Sequence, residues 1–146
     1  MREQITSKIV ALLKAQRSVR FGRVQRDPII PSELPKTAFP AIYVETTDED
    51  IEDISMYSQS QPIRHGVMEV AVVLIVGGKE RDTQKNIAIQ ATEQTLMTDR
   101  KLGELVEDCR LTRVESVVIG ESAPFTTCRM IFTVEYCYTI TIEEGN

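Results

Sequence analysis

The side chains that most readily suggest catalysis are one histidine, His65, and three cysteines, Cys109, Cys128 and Cys137. The cysteines lie 19 and 9 residues apart, with no C-x-x-C spacing and an odd total. Neither a disulfide framework nor a thiolate zinc site is expected from that pattern, and a reducing cytoplasm is the default. A nucleophilic pair would need His65 to meet one of three cysteines in strand-like sequence, where a free cysteine more often packs as a small hydrophobe. A lone histidine also excludes two-histidine metal sites. No catalytic, cofactor-binding or metal-ligating constellation is visible.

Three further patterns bear on binding. Gly77-Gly78 precedes a helical segment, and helix N-termini attract anions. However, neither G-x-G-x-x-G nor G-x-x-x-x-G-K-[ST] is present, and a Gly pair after a strand is most simply a turn. Asp48, Glu49, Asp50, Glu52 and Asp53 put five acids in six positions. They lack the calcium-loop spacing and its turn glycine, so a solvated acidic loop is the simpler reading. Lys14, Arg17, Arg20, Arg23 and Arg26 recur every third residue with no acid between them. This basic series is either a solvated helix end and loop or a charged contact on an acidic surface, another copy of the chain included. Nucleic-acid phosphate is the weaker alternative.

The charge balance sharpens that contrast. Seventeen Lys+Arg against 22 Asp+Glu leave a net charge of −5 over 146 residues. Split along the chain, residues 14–26 carry +5 and the remainder −10. Such segregation suits head-to-tail association, in which unlike patches meet. The acidic average argues against a dedicated duplex-DNA binder, whose affinity comes largely from neutralising phosphates. The longest apolar run, Val70–Val76, is far short of the roughly 18–20 residues of a membrane span. Met1-Arg2-Glu3-Gln4, with Lys8 behind it, does not read as a signal peptide.

Periodicity supplies the elements that would position these groups. Ile5, Ile9, Leu12 and Leu13 recur at helical spacing and predict a helix over 4–16. Four prolines between 27 and 40 forbid helix or central strand there, and Ile29, Ile30, Leu34 and Phe39 can anchor the segment as an extended connector. A strand is expected over 41–47, then the acidic loop and the polar stretch Ser58–Pro62. A long central strand follows over 63–76. Asp82 or Thr83 would cap a helix running to about Thr98, with Ile87, Ala88, Ala91, Thr95 and Leu96 inward. A turn over 99–103 and a short connector lead to a strand over 111–119, a turn over 120–124 and a last strand over 125–142.

In that last segment the even positions from Cys128 to Ile142 are all apolar or aromatic, and the odd ones mostly polar. Eighteen extended residues would span roughly 60 Å, more than a small domain is expected to pair. The expectation is that the strand bends or that its end pairs outside the domain. The whole reads as one α+β domain, 1–146: an N-terminal helix and basic segment (1–26), a Pro-rich connector (27–40), and a sheet with a second helix (41–142). The sheet should be single and mainly antiparallel, of four to five strands, with both helices on one face.

The succession of motifs resembles the tail terminator (tail completion, minor tail protein) family of long-tailed bacteriophages and prophages. The likeness is carried by Phe39-Pro40-Ala41-Ile42-Tyr43-Val44, the acidic segment, Arg64 with the long apolar strand, and the Gly-Gly-to-helix passage. Leu96-Met97-Thr98-Asp99-Arg100-Lys101-Leu102-Gly103-Glu104-Leu105-Val106 and Arg129-Met130-Ile131-Phe132-Thr133-Val134-Glu135-Tyr136 complete it. It covers roughly residues 39–136.

The resemblance implies a small α+β protomer forming a homohexameric ring that caps the tail tube, stops its polymerisation and offers a surface to the head-completion or connector protein. Passing DNA would not be held specifically, and six copies of −5 make a ring of −30. No catalysis, cofactor, metal or membrane is implied, and the setting is the bacterial host cytoplasm during assembly, then the virion tail. Candidate assembly contacts are Arg17, Arg20, Arg23 and Arg26 on one side and Asp48, Glu49, Asp50, Glu52 and Asp53 on the other. Two other classes remain open at this stage: a small-molecule-binding regulatory module with a pocket near Gly77, Gly78 and Asp82, and an enzyme using His65 with a cysteine.

Overall fold

Val70 to Val76 are apolar on both alternating faces, which suits a strand flanked and covered on both sides. The computed structural model, which describes residues 1–54, 62–117 and 125–140, places them at the centre of a five-stranded sheet. In chain order the elements are α1 (Arg2–Ala15), β1 (Arg23–Gln25), two short 3-10 turns (Pro31–Glu33 and Lys36–Ala38), β2 (Ala41–Asp53), β3 (Ile63–Gly77), α2 (Arg81–Met97), β4 (Asp108–Val117) and β5 (Phe125–Thr139). The sheet order is β1-β2-β3-β5-β4, antiparallel throughout except for the parallel β1–β2 pair. The class is α+β, as the sequence pattern predicts.

Both helices lie on one face. Ile5, Ile9 and Leu13 of α1, with Ala88 and Leu96 of α2, pack on Ile42, Val44, Val70, Val72, Met130, Phe132 and Tyr136. The even positions of β5 are thus its dry face, as their alternation requires. The Pro-rich connector crosses to the opposite face, where Ile29, Leu34 and Phe39 cover Ala41 and Ile75 at one end of the sheet. Two glycines permit close approaches. A Cβ on Gly22 would lie 2.4 Å from the Ala38 carbonyl oxygen, and one on Gly66 would lie 2.8 Å from the Tyr136 ring.

Several expectations are corrected. The acidic segment is not a loop: β2 runs through Asp53, pairing Glu49 with Met68, Asp50 with Val67, Glu52 with His65 and Asp53 with Arg64. Polar partners on β3 make that extension tolerable, since an opposite charge across a ladder stabilises it: Arg64 lies 3.0 Å from Asp53, and the His65 ring lies 3.5 Å from Glu52. A register shift between Thr46 and Glu49 leaves Thr47 and Asp48 out of the ladder.

Nor does the last strand outrun its domain. β3 matches it over all 15 residues, from Ile63 opposite Thr139 to Gly77 opposite Phe125. Val24 and its neighbours form an edge strand where no strand was expected, because three residues give too short a run to show a period. β4 begins at Asp108, three residues before the expected Leu111.

In α2 the buried face is rotated: Ile87 is 47% exposed and Thr92 fully buried. The helix starts at Arg81 behind Glu80 with no side-chain cap, and Asp82 instead pairs with Lys85 at 3.2 Å. The polar stretch 58–61, the turn 120–124 and strand ends 118–119 and 141–142 lie outside the described residues.

Candidate functional site

The basic series lies at one end of the sheet, and the acidic run extends from the middle of the sheet, at Asp48, to the other end, at Asp53. α1 ends at Ala15, and the Gln16 side chain then brackets the Val19 peptide. Its Nε2 donates to the Val19 carbonyl (2.5 Å) and its Oε1 accepts from the Val19 N–H (3.1 Å). The Gly22 N–H donates to the Pro40 carbonyl at 2.9 Å, bringing β1 alongside β2 with Arg23 opposite Ala41. Between α1 and β1 lies a groove of about 420 Å³ bordered by Lys14, Arg17, Arg20 and Arg23, with Leu13 and Phe21 among its walls. Among the described residues none of these four cations makes an ion pair. Arg26 is different. It grips Glu3 through two bonds of 3.0 Å, which hold the Glu3 carboxyl below its usual range.

The same end of the sheet carries more positive charge. Register places Ile75 opposite Ala41, so Gly77 reaches this end too. Lys36, Lys79 and Arg81 border a second groove there, of about 800 Å³, with Leu34, Phe39 and Phe125 as its apolar lining. Gly78 sits at φ +100° beside it, a conformation that favours glycine, and Arg81 donates to its carbonyl at 3.2 Å. The structure therefore does bring side chains together around Gly77 and Gly78. Lys36 comes from a segment about 43 residues before Lys79, a juxtaposition only the fold shows, whereas Lys79 and Arg81 directly follow the Gly pair and were passed over in favour of Asp82. Asp82 is not part of this lining.

At the acidic end the five carboxylates have unequal partners. Glu49 turns onto the helix-covered face, 14% exposed, where Arg2 Nε lies 2.5 Å away and the Tyr136 hydroxyl donates to it. Burial first, and the neighbouring Glu49 carboxylate second, raise the Tyr136 phenol well above its ordinary value. Arg2 also lies over the Tyr138 ring at 5.6 Å. This lock joins α1 to the sheet, and Arg2 carried no sequence signal for it. Asp53 faces Arg64, and Glu52 shares His65 with Glu107, at 3.5 and 3.6 Å. Asp48 and Asp50 remain exposed and, among the described residues, make no ion pair. Of the nine sequence-expected contacts, Arg17, Arg20, Arg23, Asp48 and Asp50 are thus unengaged, whereas Arg26, Glu49, Glu52 and Asp53 are held within the chain.

The three thiols differ in their surroundings. Cys109 and Cys128 are buried in the core, and burial pushes the Cys109 thiol up to about 12. Cys137 lies next to His65 in the ladder, yet its thiol donates to Glu107 at 2.9 Å, and that contact, then burial, pushes it up to about 11. His65 lies directly across the ladder from Cys137, and both side chains meet the Glu107 carboxylate, His65 at 3.6 Å, while Glu52 lies on the other ring nitrogen of His65 at 3.5 Å. Among the described residues no group of three or more His, Cys, Asp or Glu side chains could hold a metal ion, and no helix is long and apolar enough to cross a membrane.

Several charges on the helix-free face of the sheet pair with one another. Arg129 bridges Glu45 (3.8 Å) and Glu115 (3.1 Å), with Arg113 on Glu115 (3.0 Å). Arg100 and Arg110 share Asp108 at 2.9 and 3.3 Å.

Fold and surface together define an α+β protein with an unengaged basic groove at one end of its sheet and two unengaged acids, Asp48 and Asp50, near the middle of β2. No protein-family model matches the chain, and no curated protein matches it in sequence. Among solved structures it is similar to a chain from the virion of a native gene transfer agent particle: 14% identity, TM-score 0.40, covering 92% of this chain and 89% of that one. A likeness at this level assigns no role.

Proposed function

We propose that the chain is a structural phage or prophage tail protein that caps the tail tube as a homohexameric ring, ends tube polymerisation and presents a head-joining surface. The observation that carries the reading is the separation of unengaged charge along one sheet, Lys14 to Arg23 at one end and Asp48 with Asp50 near its middle. It is joined to the succession of motifs from Phe39 to Tyr136 that resembles tail terminators. Two unlike patches on one rigid body favour heterologous contacts, which close into rings when the rotation allows.

In this reading the partners are further copies, the tail tube protein and the head-completion protein. DNA passes without specific binding through a ring whose net charge is −30 for six copies of −5. The protein acts without catalysis or cofactor, in the host cytoplasm during assembly and then in the virion tail. Native mass measurement and sedimentation, alone and with purified tail tubes, test it. A hexamer, or a monomer that becomes hexameric on meeting tubes, is expected. A chain that stays monomeric or dimeric with tubes present overturns the reading.

A second reading rests on the groove at Gly77, where Lys36, Lys79 and Arg81 rim an apolar floor fit for a small anionic ligand. A rise in thermal stability with anionic metabolites, lost in Lys79→Ala/Arg81→Ala, would favour this regulatory module over the tail protein.

A further inference from the structure

We infer that the groove between α1 and β1 is the docking site for the acidic outer segment of β2 of a second copy of this chain. Three observations lead there. Arg17, Arg20 and Arg23 border the groove with no carboxylate of their own, although Arg26, three residues on, is fully engaged by Glu3. Like charges held together in a concave site raise the local potential and attract an acidic partner.

The second observation concerns the occupant. β1 covers β2 only from Ala41 to Tyr43, so beyond that point β2 has a free edge among the described residues. An open edge invites another chain, and acidic side chains on it select which one. Asp48, at the register shift, and Asp50 are the two carboxylates of this segment left without partners, and they border the helix-free face beside Glu69.

Third, one chain cannot satisfy both surfaces. Arg23 is level with Ala41, and Asp48 lies seven residues further along β2, about 23 Å away. No arginine side chain closes that distance, so a contact between the groove and this segment is open only to two copies. Because the two surfaces differ, each copy uses its groove on one neighbour and its edge on the other. The contact is therefore heterologous and repeats around a ring or along a filament. The inference rests on the ring reading for the choice of a second copy as occupant, and it names the contact that the reading leaves open.

The test uses two charge-reversal variants of the full chain, Arg17→Glu/Arg20→Glu and Asp48→Lys/Asp50→Lys, measured by sedimentation velocity and native mass spectrometry. All four positions are exposed, and circular dichroism checks that each variant is folded. Each variant alone should lose self-association by about tenfold or more, since like charges now face each other. Mixed in equal amounts, they should regain association as an alternating assembly, because an intact groove meets an intact acidic segment and the reversed, acidic groove meets the reversed, basic segment. Wild-type association should weaken as salt rises from 50 to 300 mM.

Wild-type association that both variants retain, or a mixture that regains no association, overturns the assignment while leaving the ring reading intact. A wild type that is monomeric at every concentration and with tail tubes overturns both. Loss of short duplex-DNA binding in Arg17→Glu/Arg20→Glu, with self-association unchanged, would identify nucleic acid as the occupant and overturn the inference.

Discussion

Gly66 faces the Tyr136 ring so closely that its replacement gives a quantitative test of the core. An alanine Cβ at position 66 would lie 2.8 Å from two ring carbons, and Tyr136 is fully buried with no free volume to retreat into. Overpacking of this kind costs about 1–3 kcal/mol. Against it, Gly→Ala at a compatible backbone stabilises by about 0.4–1 kcal/mol through the unfolded chain. Gly66→Ala alone should therefore destabilise by about 0.5–2 kcal/mol.

Tyr136→Leu removes the clashing ring atoms, and in that background the clash term vanishes while the chain-entropy term remains. Gly66→Ala should then stabilise by about 0.4–1 kcal/mol, a change of sign. The four proteins of the cycle are compared by urea unfolding at low protein concentration, with the slope checked for constancy. Tyr136→Phe serves as a control: it keeps the ring, so Gly66→Ala must still destabilise. Equal effects of Gly66→Ala in the tyrosine and leucine backgrounds would refute the packing argument.

Other predictions follow from single contacts. Thr92 is fully buried with its hydroxyl unpartnered among the described residues, so Thr92→Val should raise stability by about 1 kcal/mol in the same urea assay. Arg100, through its bond to Asp108, holds that carboxyl below its usual range, so the pair's stabilisation is present above the ordinary carboxylate pKa and is lost as pH falls through the lowered folded value. Unfolding midpoints measured from pH 5 down to pH 2 should drop less steeply in Arg100→Ala. The Cys137 thiol, pushed up to about 11 chiefly by Glu107, should alkylate slowly at pH 8, and Glu107→Gln should speed it several-fold while Cys109 stays protected until unfolding. Ile87→Lys, on the exposed side of α2, should change stability by less than about 0.5 kcal/mol, whereas inward Ala88→Lys should prevent folding.

What was legible in the sequence is what one strand or helix reports about itself. The alternation from Cys128 to Tyr136 marks the dry face of β5, and the unbroken apolar run of β3 marks a central strand. What was hidden depends on a partner. Five acids in six residues look like a loop until Arg64 and His65 stand opposite them. The last strand looks too long for its domain until β3 proves equally long. The same limit applies to the surface contacts. Arg26 and Arg20 are alike in spacing, and only the fold shows that Glu3 reaches one and not the other. Glu49 reads as another surface acid, although Tyr136 and Arg2 draw it inward.

The full-length pairing of β3 with β5 also sets a timetable for biosynthesis. The two strands are separated by α2 and β4, so the central ladder joins residues 48 to 76 positions apart in the chain. Topologies dominated by such distant contacts fold slowly, on the order of milliseconds to seconds. A ribosome adding about 5–20 residues per second needs roughly 3–12 s to travel from Gly77 to Thr139. Through that interval Val70–Val76, the most apolar stretch of the chain, waits without the strand that will flank it. Each nascent chain is then most exposed to misassembly with its neighbours on the same polysome, and a shielding chaperone would act to greatest effect before residue 139 emerges.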